Sequence, residues 1–201
     1  MILQNHKRIK IKQIRELIEL FGFETRNKYA LSSENDEPLG FAAEQGKGIF
    51  GLLFRSILGH WRKYEIHFFD TQRQFQFKAY HPFRWFFQCL EINDSDNKLI
   101  GRLEQRWGIL TKKFDIHDAS DTVIAEMRSG LFRIWSFPIK KNGNDYAHIT
   151  KKWGGFLKEI FLDADSFLLE YKDPSIADAT KKTLLAAAIF VDLQYFEKKA
   201  D

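Results

Sequence analysis

Thr183-Leu184-Leu185-Ala186-Ala187-Ala188-Ile189-Phe190-Val191-Asp192-Leu193-Gln194-Tyr195-Phe196 decides the fold. As a helix this run is apolar nearly all round, the pattern of a helix buried on every side. Spanning a bilayer takes about 20 apolar residues, and here Asp192 interrupts the run well before that. A helix placed at 178–197 must therefore sit inside something that the rest of the chain supplies.

What precedes it is strand after strand. Apolar and polar residues alternate in Tyr64-Glu65-Ile66-His67-Phe68-Phe69 and Phe75-Gln76-Phe77-Lys78-Ala79-Tyr80, with the polar turn Asp70-Thr71-Gln72-Arg73-Gln74 between them. The same reading pairs Lys28–Leu31 with Leu39–Ala43, Leu90–Asn93 with Leu99–Glu104, Lys113–His117 with Thr122–Met127, and Phe137–Lys140 with Tyr146–Thr150. It also pairs Glu159–Leu162 with Phe167–Tyr171. Lys7–Lys12 reads as a short edge strand with a basic face, and Ile14, Leu17, Ile18 and Phe21 fall at helical spacing. Strands with turn signals every 8 to 12 residues indicate a sandwich or barrel. A closed barrel buries the helix and removes the sheet edges together. The expectation is mainly β: one domain over 1–201, a closed barrel of about twelve strands enclosing the C-terminal helix. Trp61, Trp107 and Trp153 recur at a fixed interval, each followed by a strand, an Asp-containing turn and another strand, as duplicated hairpins would be.

Two segments carry a resemblance. Ile149-Thr150-Lys151-Lys152-Trp153-Gly154-Gly155-Phe156-Leu157-Lys158-Glu159 leads into Phe161-Leu162-Asp163-Ala164-Asp165-Ser166-Phe167 and then the apolar helix. Gly22-Phe23-Glu24-Thr25-Arg26-Asn27-Lys28-Tyr29 is followed by Gly40-Phe41-Ala42-Ala43-Glu44. In order and kind these resemble the phospholipid scramblase family, and they bracket nearly the whole chain. The resemblance implies a tubby-like barrel around a central helix. It also implies a membrane-associated protein that binds phospholipid and promotes its movement between leaflets, without covalent chemistry. A family fixes a fold better than an activity.

The composition suits that expectation without requiring it. The chain has 201 residues, 44% hydrophobic and 29% charged, with 20 Phe and 5 Trp. Aromatics favour strands and also membrane interfaces. A net charge of +4 suits an anionic lipid surface. One cysteine, Cys89, excludes an intramolecular disulfide. The opening Met1-Ile2-Leu3-Gln4-Asn5-His6-Lys7-Arg8 lacks the apolar core of a signal peptide, so a cytoplasmic, peripherally membrane-associated protein is expected. Basic residues are dispersed and no nucleic-acid motif is visible. No metal spacing, nucleophile motif or hydrolase signature marks an enzyme. Gly46-Lys47-Gly48-Ile49-Phe50-Gly51 fits a dinucleotide fingerprint, but β follows β after it where a βαβ unit is needed, so a loop is the better reading.

Three aromatic clusters interleaved with arginine are the candidate lipid-binding and membrane-binding residues. The first holds Phe50, Phe54, Arg55 and Trp61, the second Phe83, Arg84, Trp85, Phe86 and Phe87, and the third Phe132, Arg133, Trp135 and Phe137. Trp and Phe partition to the headgroup boundary, and arginines meet phosphates. The competing reading packs them into the barrel wall. Strict alternation would favour packing, but Trp85-Phe86-Phe87 is contiguous, so one face of it must meet solvent or lipid. In animal scramblases the matching stretches are rich in cysteine and the middle one is palmitoylated. Only Cys89 remains here, so aromatics would substitute for acyl chains.

The resemblance also maps Asp163 and Asp165 onto the first acidic positions of a proposed calcium-binding segment. Read from the residues, that segment is a poor calcium loop: Phe167 stands at the fifth position, Pro174 at the twelfth, and alternation says strand. Calcium is therefore a weak candidate cofactor, against a plain hairpin turn. Asp192 in the apolar helix needs a partner, either a Lys or Arg of the wall or a polar lipid path. Two rival functions stay open: a soluble carrier with a lipid inside the barrel, and a tubby-like scaffold that reads anionic headgroups without moving lipid.

Overall fold

The computed structural model describes residues 3, 5–14, 27–45, 62–108, 111–129, 135–151 and 166–196. Twelve antiparallel strands run in chain order around a closed barrel: β1 (Arg8–Ile14), β2 (Lys28–Ser33), β3 (Pro38–Glu44), β4 (Tyr64–Phe69), β5 (Phe75–His81), β6 (Cys89–Asp94), β7 (Leu99–Arg106), β8 (Lys113–Asp118), β9 (Val123–Arg128), β10 (Ser136–Lys141), β11 (Asn144–Lys151) and β12 (Ser166–Tyr171). Each pairs with its sequence neighbours, and β1 closes on β12 from Arg8↔Glu170 to Lys12↔Ser166. The barrel encloses the helix α1 (Asp178–Tyr195).

Alternation decides which side chains face inward. In β4 Tyr64, Ile66 and Phe68 are buried while Glu65, His67 and Phe69 are partly exposed. Phe68 lies opposite Phe77 with the rings stacked 4.1 Å apart. The inward residues meet α1, in which every residue from Thr183 to Gln194 is buried. Phe190 meets Phe114 edge-on at 5.6 Å. The helix lies tight against β7: a Cβ at Gly101 would sit 2.2 Å from Thr183 Oγ1, so only glycine fits there. Lys181 is buried near the helix start and donates to the carbonyls of Leu3 (3.1 Å) and His6 (3.5 Å), fastening the N-terminal segment beneath the barrel.

The two ends of the barrel differ. At one end, five short turns join β2 to β3, β4 to β5, β6 to β7, β8 to β9 and β10 to β11. Four of these turns are chemically alike. Ser33, Asp70, Asp94 and Asp118 each accept, at one side-chain oxygen, the amides two and four residues on. The residues three on (Asp36, Arg73, Asn97, Asp121) take φ near +63° and close the turn. Such side chains mimic a backbone turn and tolerate the left-handed region. The three Asp turns recur every 24 residues. We call this the hairpin end. The opposite, open end carries the longer connections and the C-terminus of α1.

Three expectations need correction. Lys7–Lys12 is not an edge: β1 has β2 on one side and β12 on the other, because barrel closure uses both. Gln13 and Ile14 belong to that strand, not to a helix; 15–21 lie outside the described residues. Phe167–Tyr171 is not half of a hairpin with Glu159–Leu162. Both edges of β12 are taken, by β11 and β1, and 159–162 lie outside the described residues.

Candidate membrane-facing end

The connections sort by charge. Among the described residues, those at the open end carry Arg62, Lys63, Arg84 and Lys112 and no carboxylate. Those at the hairpin end carry Glu34, Asp36, Glu37, Asp70, Asp96, Asp121 and Asp173 against Arg73, Lys98 and Lys172. Among the described residues, the connections are therefore net positive at the open end and net negative at the hairpin end.

The same end holds the aromatics. Every exposed large aromatic side chain among the described residues lies there: Phe83, Trp85, Phe86, Phe87, Trp107 and Trp135, from 42% exposed at Phe83 to 79% at Phe86. The 82–88 connection joins β5 to β6 as a projecting loop, which is why its contiguous aromatic run escapes strand alternation. Trp85 packs edge-on to Phe83 at 5.2 Å. Phe87 has φ of 50°, an outlier for a bulky residue. Phe137, grouped with the third cluster, is buried at 1% and belongs to the core. Phe50, Phe54, Arg55, Trp61, Phe132, Arg133, Asp163 and Asp165 lie outside the described residues, as does the 46–51 glycine segment.

Beneath the loops a chain of hydrogen bonds passes from strand to strand. Gln13 Nε2 donates to Asn27 Oδ1 (3.1 Å), and Asn27 Nδ2 to Glu44 Oε2 (2.7 Å). Glu44, 1% exposed, is paired with the Arg62 guanidinium through both carboxylate oxygens. Arg62 O lies 3.0 Å from His81 Nδ1, and His81 Nε2 lies 2.7 Å from the Gln88 carboxamide. Gln88 and Gln105 close the chain: Gln88 N donates to Gln105 Oε1 (3.1 Å) and Gln105 N to Gln88 O (2.8 Å). Burial pulls His81 down to about 4, so the ring is neutral. Nδ1 faces the Arg62 carbonyl and Nε2 faces Gln88 Oε1, and a neutral ring donates to one of these two acceptors, the tautomer deciding which. This belt holds the base of the 82–88 loop and satisfies polar groups where wall meets core.

The end of α1 joins the same rim. Asp192, 3% exposed, accepts from Lys151 Nζ of β11 (3.1 Å) and from Tyr29 OH of β2 (2.9 Å). The Lys151 ammonium also lies over Phe167 (4.8 Å) and Phe196 (4.4 Å). Lys112 sits 3.1 Å over the Tyr195 ring, and loss of hydration there lowers its ammonium to about 8. Both cations complement the negative end of the helix dipole. Sequence reasoning had no signal for Glu44, Arg62, His81 or Gln105. They are scattered along the chain, and only strand register brings them together.

Among the described residues, no group of three or more His, Cys, Asp or Glu could hold a metal ion, and no helix is long and apolar enough to cross a membrane.

The scramblase family model matches residues 1–198. A phospholipid scramblase family protein of Schizosaccharomyces pombe is 24% identical over 86% of this chain and 49% of its own length. Human phospholipid scramblase family member 5 is 27% identical, covering 92% of this chain and 72% of that protein. Human phospholipid scramblase 1 is 29% identical, over 94% and 63%. The chain thus spans about half to seven tenths of these relatives. No solved structure matches it.

Proposed function

Because the chain belongs to the scramblase family, we propose that it is a peripheral, cytoplasmic phospholipid-binding protein that docks open end first on an anionic membrane surface and promotes lipid movement there. The observation that carries this is that, among the described residues, every exposed large aromatic lies at the one end whose connections hold cations and no carboxylate. Aromatic rings partition into the headgroup boundary, and arginine and lysine add attraction to anionic lipid, about 1 kcal/mol each near the surface. The acidic connections described at the hairpin end would be repelled by the same surface, which favours approach by the open end.

No covalent step is needed. The family relationship supports lipid movement, and the rim supports docking. The helix that fills the barrel argues against a carrier with lipid inside. The tubby-like alternative, headgroup reading without transbilayer movement, shares the docking geometry and differs only in the transport assay.

Flotation with liposomes tests the docking. Changing Trp85, Phe86 and Phe87 together to Ser should leave the melting temperature nearly unchanged, since all three are exposed, and should strip the protein from vesicles with and without phosphatidylserine. Unchanged flotation of a folded triple variant would overturn the docking reading. A labelled-lipid transfer assay on the parent separates scrambling from binding alone.

A further inference from the structure

On the outer wall next to the open end, strand register aligns like charges. Arg106 lies opposite Lys113, and Lys113 opposite Arg128. One pleat further from the rim, Glu104 lies opposite Asp115, and Asp115 opposite Glu126. Phe114 and Met127, between the two rows, are buried, so both rows face outward. Like charges directly opposite on neighbouring strands destabilise a sheet. Bonds between the rows relieve part of this: Arg106 Nη1 lies 3.4 Å from Asp115 Oδ2, and Arg128 pairs with Glu126. The arginines of both pairs are well exposed, so these bonds are weak and exchangeable. Lys113 has no ion pair among the described residues. A recess of about 200 Å³ opens over the rows, lined by Arg106, Lys113, Arg128, Asp115 and Glu126, with the exposed Trp107 at its edge.

We propose that this recess binds the zwitterionic headgroup of a phospholipid: the phosphate on Arg106, Lys113 and Arg128, the amine between Asp115 and Glu126 beside the Trp107 ring. The proposal rests on the open end facing the bilayer, and it deepens that reading. In a docked lipid the phosphate lies nearer the acyl chains and the amine further out. The wall has the same order, cations at the rim and carboxylates about 7 Å below, two residues of strand rise. A bare phosphate would meet the carboxylate row as a repulsion. An amine-bearing phosphodiester meets both rows with opposite charge. Trp107 adds a face for the cationic amine.

Heteronuclear NMR on the full chain tests this with soluble probes, glycerophosphoethanolamine and glycerophosphate. The Trp107 indole signal, assigned by its loss in Trp107→Phe, should move with glycerophosphoethanolamine. Lys113→Gln should weaken both probes about tenfold, the loss of one charge-assisted hydrogen bond. Glu126→Gln should weaken glycerophosphoethanolamine by about as much and leave glycerophosphate unchanged or tighter. No movement at Trp107, or equal binding of the two probes with no effect of Glu126→Gln, overturns the proposal. On phosphatidylethanolamine vesicles Lys113→Gln should also reduce flotation. Unchanged flotation beside a weakened soluble titration assigns the recess to a free phosphoester and overturns the lipid assignment. The Trp85, Phe86, Phe87 triple to Ser keeps the soluble titration intact whatever it does to flotation, so a failed docking reading and a failed headgroup site give different results.

Discussion

Removing the carboxylate of Asp192 tests the buried end of α1 most sharply. The side chains of Asp192 and Lys151 are only 4% and 9% exposed, so the pair is almost out of water. Asp192→Leu leaves the Lys151 ammonium among Phe167 and Phe196 without its carboxylate, and leaves the Tyr29 hydroxyl without the acceptor it now uses. Breaking one side of a buried pair costs about 3–5 kcal/mol. For a chain of this size each kcal/mol moves the melting temperature by about 2–4 °C, so a fall on the order of 10 °C is expected. Asp192→Asn retains an acceptor and should lose about half as much. The double change Asp192→Leu with Lys151→Met removes both charges at once and should recover most of the loss, since paired removal is often neutral or better. Denaturant melts of the four proteins give the cycle. An Asp192→Leu variant within about 1 kcal/mol of the parent, or a double variant worse than the single, would refute the reasoning. If Asp192→Leu folds normally yet loses labelled-lipid movement, the residue serves transport instead of the fold.

Four further outcomes follow from the structure. His81 is neutral when folded, with its value lowered to about 4, so its contribution is complete above about pH 6.5 and lost as pH falls toward 4. The unfolded chain binds the extra proton across that window, and His81→Asn should flatten the stability–pH slope there by up to about 3 kcal/mol. Phe87→Gly should hold or raise the melting temperature by relieving the left-handed backbone while weakening flotation; a drop of several degrees would mean that the ring packs. Gly101→Ala should cost about 1–3 kcal/mol by driving Thr183 and α1 off β7, and Thr183→Ala in the same chain should recover part of it in thermal melts. Calcium, if held at Asp163 and Asp165, should bind on the order of millimolar, because two acids without a bidentate partner make a poor cage; calorimetry giving about 10 micromolar or tighter contradicts this.

Much of the barrel was legible because each hairpin is local. Alternation in β4 and β5 and the Asp70 turn between them lie within a short stretch, and the same holds at Asp94 and Asp118. The helix declared itself by having no polar face, which left a closed barrel as its container. Closure was expected, but which strands make it was not legible. Ser166–Tyr171 alternates like any strand, and nothing in it says that its partners are 144–151 and the distant 8–14, rather than the adjacent 159–162. The aromatic loop at 82–88 was visible as a run that breaks alternation. The Glu44–Arg62–His81–Gln88 belt and the Arg106–Lys113–Arg128 row were not, because each lies on several strands and exists only once register is set.

The placement of α1 dictates an order of assembly. The helix follows all twelve strands in the chain yet occupies the space that they enclose. Threading it into a finished ring from the hairpin end would drag Asp192 through the apolar interior, so curling of the sheet around the helix, with β1 meeting β12 last, is the less costly order. Until then the inward faces of Phe68, Phe77, Phe114 and Phe137 stand open on a growing sheet with two free edges. Contacts that span nearly the whole chain also make the final closure slow. During synthesis the chain is consequently a sticky, incomplete sheet for most of its length, and only α1 turns that sheet into a closed barrel.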